Sequence, residues 1–210
     1  MSSARPATLE QWLAHIDRQH PQPIAMGLER VREVAARMGL ERPAQRCIVV
    51  GGTNGKGSTV AFIEAIARAA GWAVGAYTSP HLLAYNERVR IDGTDVDDAT
   101  LVAGFNAVED ARGDTALTYF EYGTLYALWA FARAGLDLAV LEVGLGGRLD
   151  AVNIVDADVA VITTVDIDHA DWLGSDREAI GAEKAGIIRG WKPLILGEID
   201  PPSSVLRRAY

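Results

Sequence analysis

The chain holds a single cysteine, Cys47, in 210 residues. No internal disulfide can form, which fits a reducing compartment. No stretch approaches the roughly 20 consecutive apolar residues that a membrane-spanning helix needs, and no charged-then-apolar leader opens the sequence. Both absences point to a cytoplasmic protein with no membrane partner. Positive charge is also short: 20 Lys and Arg stand against 28 Asp and Glu, a net charge of −8. That argues against non-specific nucleic-acid binding, which needs a basic face. It leaves anionic small substrates open, because a local basic cluster can outweigh a distant negative surface. There is no internal repeat, no low-complexity segment and no guanine-reading NKxD. What is present is apolar residue in quantity, 49%, ample for a packed core in one domain or one and a half.

Four glycines, Gly51, Gly52, Gly55 and Gly57, crowd into seven residues. They follow the apolar run Cys47-Ile48-Val49-Val50 and precede apolar residues at helical spacing, Val60, Ile63, Ile66 and Ala67. In a strand–glycine loop–helix unit, backbone N–H groups and the helix N-terminus can converge on a phosphate. Glycine lets the backbone approach closely and take positive φ. Lys56 adds a full positive charge, and Ser58 or Thr59 adds a hydroxyl for a metal ion or a phosphate. The usual phosphate-loop pattern has Ser or Thr directly after the lysine, where this chain has Gly57. An ordinary glycine turn is the competing account; a lysine inside the loop with hydroxyls at the helix start favours phosphate.

Elsewhere, Thr8 is placed to cap a helix with Leu9, Trp12, Leu13 and Ile16 on one face. A second helix is predicted from about 28 to 38, ended by Gly39. Residues 73–78 read as a strand, 88–91 as a short extended piece before a turn at Asp92-Gly93, and Asp97 or Asp98 as the cap of a helix through Ala111. Residues 120–134 are apolar nearly all round, hence a buried helix. Residues 138–142 and 159–163 are apolar runs of the kind seen in strands covered on both faces. Helix character returns over 176–188, a strand at 193–196 and a helix-like piece at 203–210. The alternation predicts an α/β fold with a doubly wound, mostly parallel sheet. In such sheets ligands gather beyond the carboxyl ends of the strands. Lys56, Ser79, Glu142 and the pair Asp168-His169 all fall at or just after such ends. One sheet edge is therefore predicted to collect a lysine, a hydroxyl, a carboxylate and an imidazole.

Each candidate has a plainer account. Glu142 at the end of a buried strand is costly unless paired or bound to metal, and near triphosphate oxygens it would suit Mg²⁺; it could also simply cap a loop. The cluster Asp166, Asp168, His169 and Asp171 is either a metal site, with histidine also suiting Mn²⁺, or a solvated turn. Gly144-Leu145-Gly146-Gly147 follows a strand, but Leu149 stands where a dinucleotide fingerprint needs its third glycine. Thr118-Tyr119-Phe120-Glu121 offers aromatic faces for a flat ring, though packing is the commoner use of such residues. Lys184 beside Glu183 reads from spacing alone as a surface ion pair.

Taken in order, these segments resemble the Mur ligase superfamily, and within it the dihydrofolate synthase/folylpolyglutamate synthase family. The motifs are GLERV (27–31), GGTNGKGST (51–59), YTSPHL (77–82), NERVRI (86–91), LTYFEYGTL (117–125), LEVGLGGRLDAVNIV (141–155), DHADWLG (168–174) and EKAGII (183–188). The GKGS variant is normal for that family. The resemblance implies an ATP-dependent amide ligase that joins L-glutamate to dihydropteroate or reduced folates through an acyl phosphate. It implies that Thr53, Asn54, Gly55, Lys56, Gly57 and Ser58 hold ATP, and that Ser58, Ser79, Glu142, His169 and Lys184 serve magnesium in up to two sites, with manganese as a substitute. It implies catalytic roles for Lys56, His169 and Lys184, the last matching a lysine that the family carboxylates. A pterin site is implied at Ala25, Met26, Gly27, Thr118, Tyr119, Phe120, Glu121, Leu149, Asp150 and Ala151. The family has an acidic residue and a leucine where this chain has Ala25 and Met26. It also implies a further C-terminal domain, so residues 1–210 are expected to be an incomplete ATP-binding domain, inactive alone and part of a monomer when complete. A non-catalytic nucleotide-binding module, or a regulatory remnant of a phosphate-loop NTPase, is the alternative.

Overall fold

The structure, a computed structural model, describes residues 5–20, 22, 25–167 and 175–210. Its centre is a seven-stranded sheet: β1 (Arg46–Gly51), β2 (Val74–Tyr77), β3 (Val89–Ile91), β4 (Thr94–Asp95), β5 (Leu138–Glu142), β6 (Val159–Ile162) and β7 (Leu194–Leu196), in the order β4-β3-β2-β5-β1-β6-β7. From β2 to β7 all pairings are parallel, while β3 and β4 add an antiparallel edge. β5 lies near the middle and all five of its residues are buried, as its unbroken apolar run requires. Alternate residues serve opposite faces. Leu138 and Val140 join Val60 and Ala67 of α3 (Lys56–Ala69) in one core, while Ala139 and Leu141 face a larger core on the other side.

That larger core is closed by α1 (Leu9–Ile16), α2 (Glu29–Arg37), α4 (Asp98–Arg112) and α5 (Tyr119–Ala134). The caps are those the sequence offers. Thr8 accepts from the N–H of Gln11 at 3.3 Å, and Asp97 from that of Thr100 at 2.8 Å. At the start of α5, Thr118 and Glu121 cap each other reciprocally at 3.2 and 2.8 Å. α6 (Arg177–Ala185) and α7 (Ser203–Ala209) pack on each other and send Ile180, Ala185 and Val205 into the same core.

The predicted helix over 176–188 stops three residues early. After Ala185 the N–H groups of Gly186, Ile187 and Ile188 reach only three residues back, a tightened turn that still buries Ile187 and Ile188. Strand β4 and two short 3₁₀ turns, Tyr85–Arg88 and Ala151–Ile154, are additions to the predicted elements. All are too short to leave a periodic signal.

Candidate functional site

The parallel register places the carboxyl ends side by side: Val50 pairs with Glu142, Gly51 with Ile162 and Tyr77 with Leu141. The glycine loop crosses this rim. Gly52 has φ +143°, and a Cβ there would overlap the Thr163 hydroxyl. Gly55 has φ +81° as the cap of α3. Both positions exclude other residues on backbone or steric grounds. The loop is latched to the segment after β6. Thr53 N–H donates to Thr164 O at 2.8 Å, the Thr163 hydroxyl to Asn54 O at 2.6 Å, and Asn54 N–H to the Thr164 hydroxyl at 3.0 Å. The Thr53 hydroxyl exchanges hydrogen bonds with the backbone of Asp166 at 3.1 and 3.0 Å. Lys56 arches back over the loop, its Nζ donating to the carbonyls of Gly52 and Thr53 at 2.9 and 3.2 Å. Ser58 is exposed in the first turn of α3.

Glu142 faces this turn: the Cβ position of Gly57 lies 3.7 and 3.8 Å from its two carboxylate oxygens. The side chain is buried, 4% exposed, and accepts the N–H of Ser79 at 3.0 Å. Burial pushes its pKa up, and the Ser79 N–H and the charges of Lys56 and Arg90 only partly oppose this. A carboxylate kept in an environment that disfavours its charge is primed for a cation. Its oxygens are hard donors of the kind that Mg²⁺ takes; Ser58 lies in the first turn of α3 and Ser79 just after β2. Among the described residues no group of three or more His, Cys, Asp or Glu side chains could hold a metal. His169, Asp168 and Asp171 lie outside the described residues.

Beside the rim opens a cavity of about 330 Å³. It is lined by residues 25–27, 118–121 and 149–151, together with Ser79, Pro80, Arg88, Gly144 and Leu145. Three segments separated in sequence, all expected at a ring site, thus border one cavity. Phe120 stands against Tyr77 with ring centroids 6.0 Å apart. A Cβ on Gly144 would come within 2.6 Å of the Phe120 ring, so this glycine makes room for the aromatic face rather than for a dinucleotide. Asp150 is buried, its Oδ2 accepting the N–H groups of Gly144 and Leu145 at 3.0 and 2.9 Å and its Oδ1 that of Val152 at 2.9 Å. Burial pushes its pKa up to about 7 against the pull of those three donors. Glu121 is occupied already, pairing with Arg30 at 2.8 Å as well as capping α5.

The plain account of Lys184 needs correction. Its side chain is only 3% exposed, and Glu183 pairs instead with Arg148 at 2.8 Å. The loop after β5 presses on α6 here: a Cβ at Gly147 would sit 2.8 Å from Glu183 O and 3.0 Å from Lys184 O. Residues that sequence reasoning passed over are Thr163 and Thr164, which hold the loop, and Arg88, which lines the cavity. Two hydroxyls at a strand's end were a visible signal; an arginine in an extended segment was not.

The fold and the rim define a class: a doubly wound α/β protein with a glycine-rich loop of the phosphate-binding type. Residues 50–207 match the Mur ligase middle domain. The chain belongs to the Mur ligase family. It is 56% identical over 197 residues to the dihydrofolate synthase/folylpolyglutamate synthase of Escherichia coli (strain K12), covering 94% of this chain and 47% of that protein. Solved structures agree. E. coli FolC in complex with DHPP and ADP superposes with a TM-score of 0.95 at 55% identity, over 97% of this chain and 49% of that one. A bifunctional folylpolyglutamate synthase/dihydrofolate synthase with Mn, AMPPNP and L-glutamate bound gives 0.91 at 54% identity, over 97% and 49%. The chain spans about half the length of the dihydrofolate synthase/folylpolyglutamate synthases of E. coli and Haemophilus influenzae. Among the described residues no helix is long and apolar enough to cross a membrane.

Proposed function

We propose that the chain is the nucleotide- and pterin-binding part of an ATP-dependent ligase that adds L-glutamate to dihydropteroate, reduced folates or both. The observation that carries this is the position of Ser79. It lines the ring-sized cavity and its N–H holds Glu142 on the phosphate-loop rim. A flat ring lodged against Phe120 would thus present its carboxylate where a terminal phosphate would lie. The loop N–H groups and Lys56 bind the triphosphate and neutralise charge, as phosphoryl transfer requires. Transfer of the γ-phosphoryl group to a carboxylate oxygen gives an acyl phosphate and ADP. The glutamate amine then attacks the acyl carbon, an amide bond forms, and inorganic phosphate leaves with the C–O bond electrons.

Glu142, with Ser58, Ser79 and His169, would hold magnesium, or manganese in its place, with Lys184 as a carbamate serving a second ion. A bound divalent cation there supplies charge stabilisation on the phosphate oxygens. The relatives' bound ligands, ADP, AMPPNP, Mn, L-glutamate and DHPP, match this list. The rest of the glutamate site is assigned to a separate domain of a longer protein, monomeric and cytoplasmic, with no nucleic-acid partner. The test is calorimetric titration of the purified chain with dihydropteroate in magnesium and ATP. Saturable binding, lost on Phe120→Ala, is the expected result. Nucleotide binding without any pterin binding would overturn the substrate assignment.

A further inference from the structure

Arg88 is a buried cation, 9% exposed. Its Nε donates to Nδ1 of His81 at 2.8 Å. That ring nitrogen is therefore an acceptor, and His81 brings no negative charge to the contact. The guanidinium lies over the rings of Tyr85 and Tyr119, 5.2 and 5.6 Å from their centroids. Other sheltered arginines have carboxylate partners: Arg30 has Glu121, Arg90 has Glu64 and Arg112 has Glu109, at 2.8, 2.8 and 2.6 Å. Among the described residues Arg88 has no ion-pair partner, and its remaining N–H groups have no protein acceptor. It lines the cavity together with Ser79 and Pro80.

A guanidinium that lines a cavity without a carboxylate partner can meet an anion there, and its planar fork matches a carboxylate edge. We propose that Arg88 is a substrate-binding residue that grips the carboxylate of the ring-bearing substrate and so fixes which end of that molecule faces the phosphate loop. The inference rests on the cavity being the ring site. The two tyrosines and His81 hold the fork still, so little side-chain entropy is lost on binding. A molecule with the same ring system but no carboxyl group would keep its contacts with Phe120 and forfeit this one.

The experiment is calorimetric titration with dihydropteroate and with the same molecule lacking its carboxyl group, on the unaltered chain and on Arg88→Met. Hydrogen bonds to charged groups predict that the unaltered chain prefers the carboxylate about 10- to 100-fold. In Arg88→Met that ratio should fall to about 1, through weaker dihydropteroate binding, while the carboxyl-free ligand binds within about 2-fold of its original affinity. Arg88→Lys should recover part of the preference. If the unaltered chain binds both ligands equally, or Arg88→Met keeps the preference, the role assigned to Arg88 is wrong and the ring site stands. If the unaltered chain binds neither, the ring site itself falls and takes this role with it.

Discussion

Replacing Glu142 by glutamine separates the cost of the site from its use. The carboxylate is 4% exposed at the end of a central strand, and burial raises its pKa above the usual 4.5. The Ser79 N–H that it accepts can be kept by the amide oxygen of Gln. What Glu142→Gln removes is a desolvated charge, at the loss of attraction to the partly exposed Lys56. The variant should therefore be more stable than the parent by about 1–2 kcal/mol at neutral pH. For a chain of this size that is a gain of about 3–6 °C in Tm. The pH dependence has a definite sign. A carboxyl whose folded pKa is raised contributes stability below its unfolded value, and that contribution is lost as pH rises through the folded value. The advantage of the variant should thus be small at pH 4.5 and grow toward pH 8. Urea unfolding of both proteins across that range reads the difference directly. The reasoning fails if Glu142→Gln is less stable at pH 8, because the carboxylate would then be satisfied without a cation.

Asp150→Asn should destabilise, by about 2–3 kcal/mol. Two carboxylate oxygens take three backbone N–H groups, and an amide NH₂ must oppose at least one of them. With the folded pKa raised to about 7, parental stability falls as pH rises through that value, so the deficit measured in urea should narrow between pH 5 and pH 8. Gly52→Ala forces a Cβ onto the Thr163 hydroxyl at φ +143° and should cost about 2–4 kcal/mol. A second change, Thr163→Ala, should restore the steric part in a thermal melt. The strain at positive φ should remain.

Sequence reasoning and structure coincide where the physics is local. The strand–glycine loop–helix unit was legible because an apolar run, crowded glycines and a helical pattern follow one another directly. β5 was legible because five consecutive apolar or terminal acidic residues leave no polar face, and α5 because Thr118 and Glu121 sit at capping spacing ahead of an apolar stretch. Non-local features were hidden. Nothing in the spacing of Lys184 tells that the Gly147 loop closes over its helix, so a pair with Glu183 looked natural. Nothing around Arg88 tells that its neighbours in space are two tyrosine rings and a histidine rather than a carboxylate. The latch of Thr163 and Thr164 onto Asn54 depends on two strands ending in register, a property of the sheet and not of either segment. The gathering of residues 25–27, 118–121 and 149–151 around one cavity came from family resemblance; periodicity gave no hint of it.

The most direct test of the phosphate-loop claim is the affinity of the chain for magnesium ATP before and after Lys56→Ala, by calorimetry, with circular dichroism to follow the fold. Among the described residues Lys56 bonds only to two loop carbonyls, so its removal should leave the fold intact and weaken ATP binding by about 100-fold. Unchanged ATP affinity in a folded Lys56→Ala protein would contradict the account, since the loop would then be a turn and not a phosphate site.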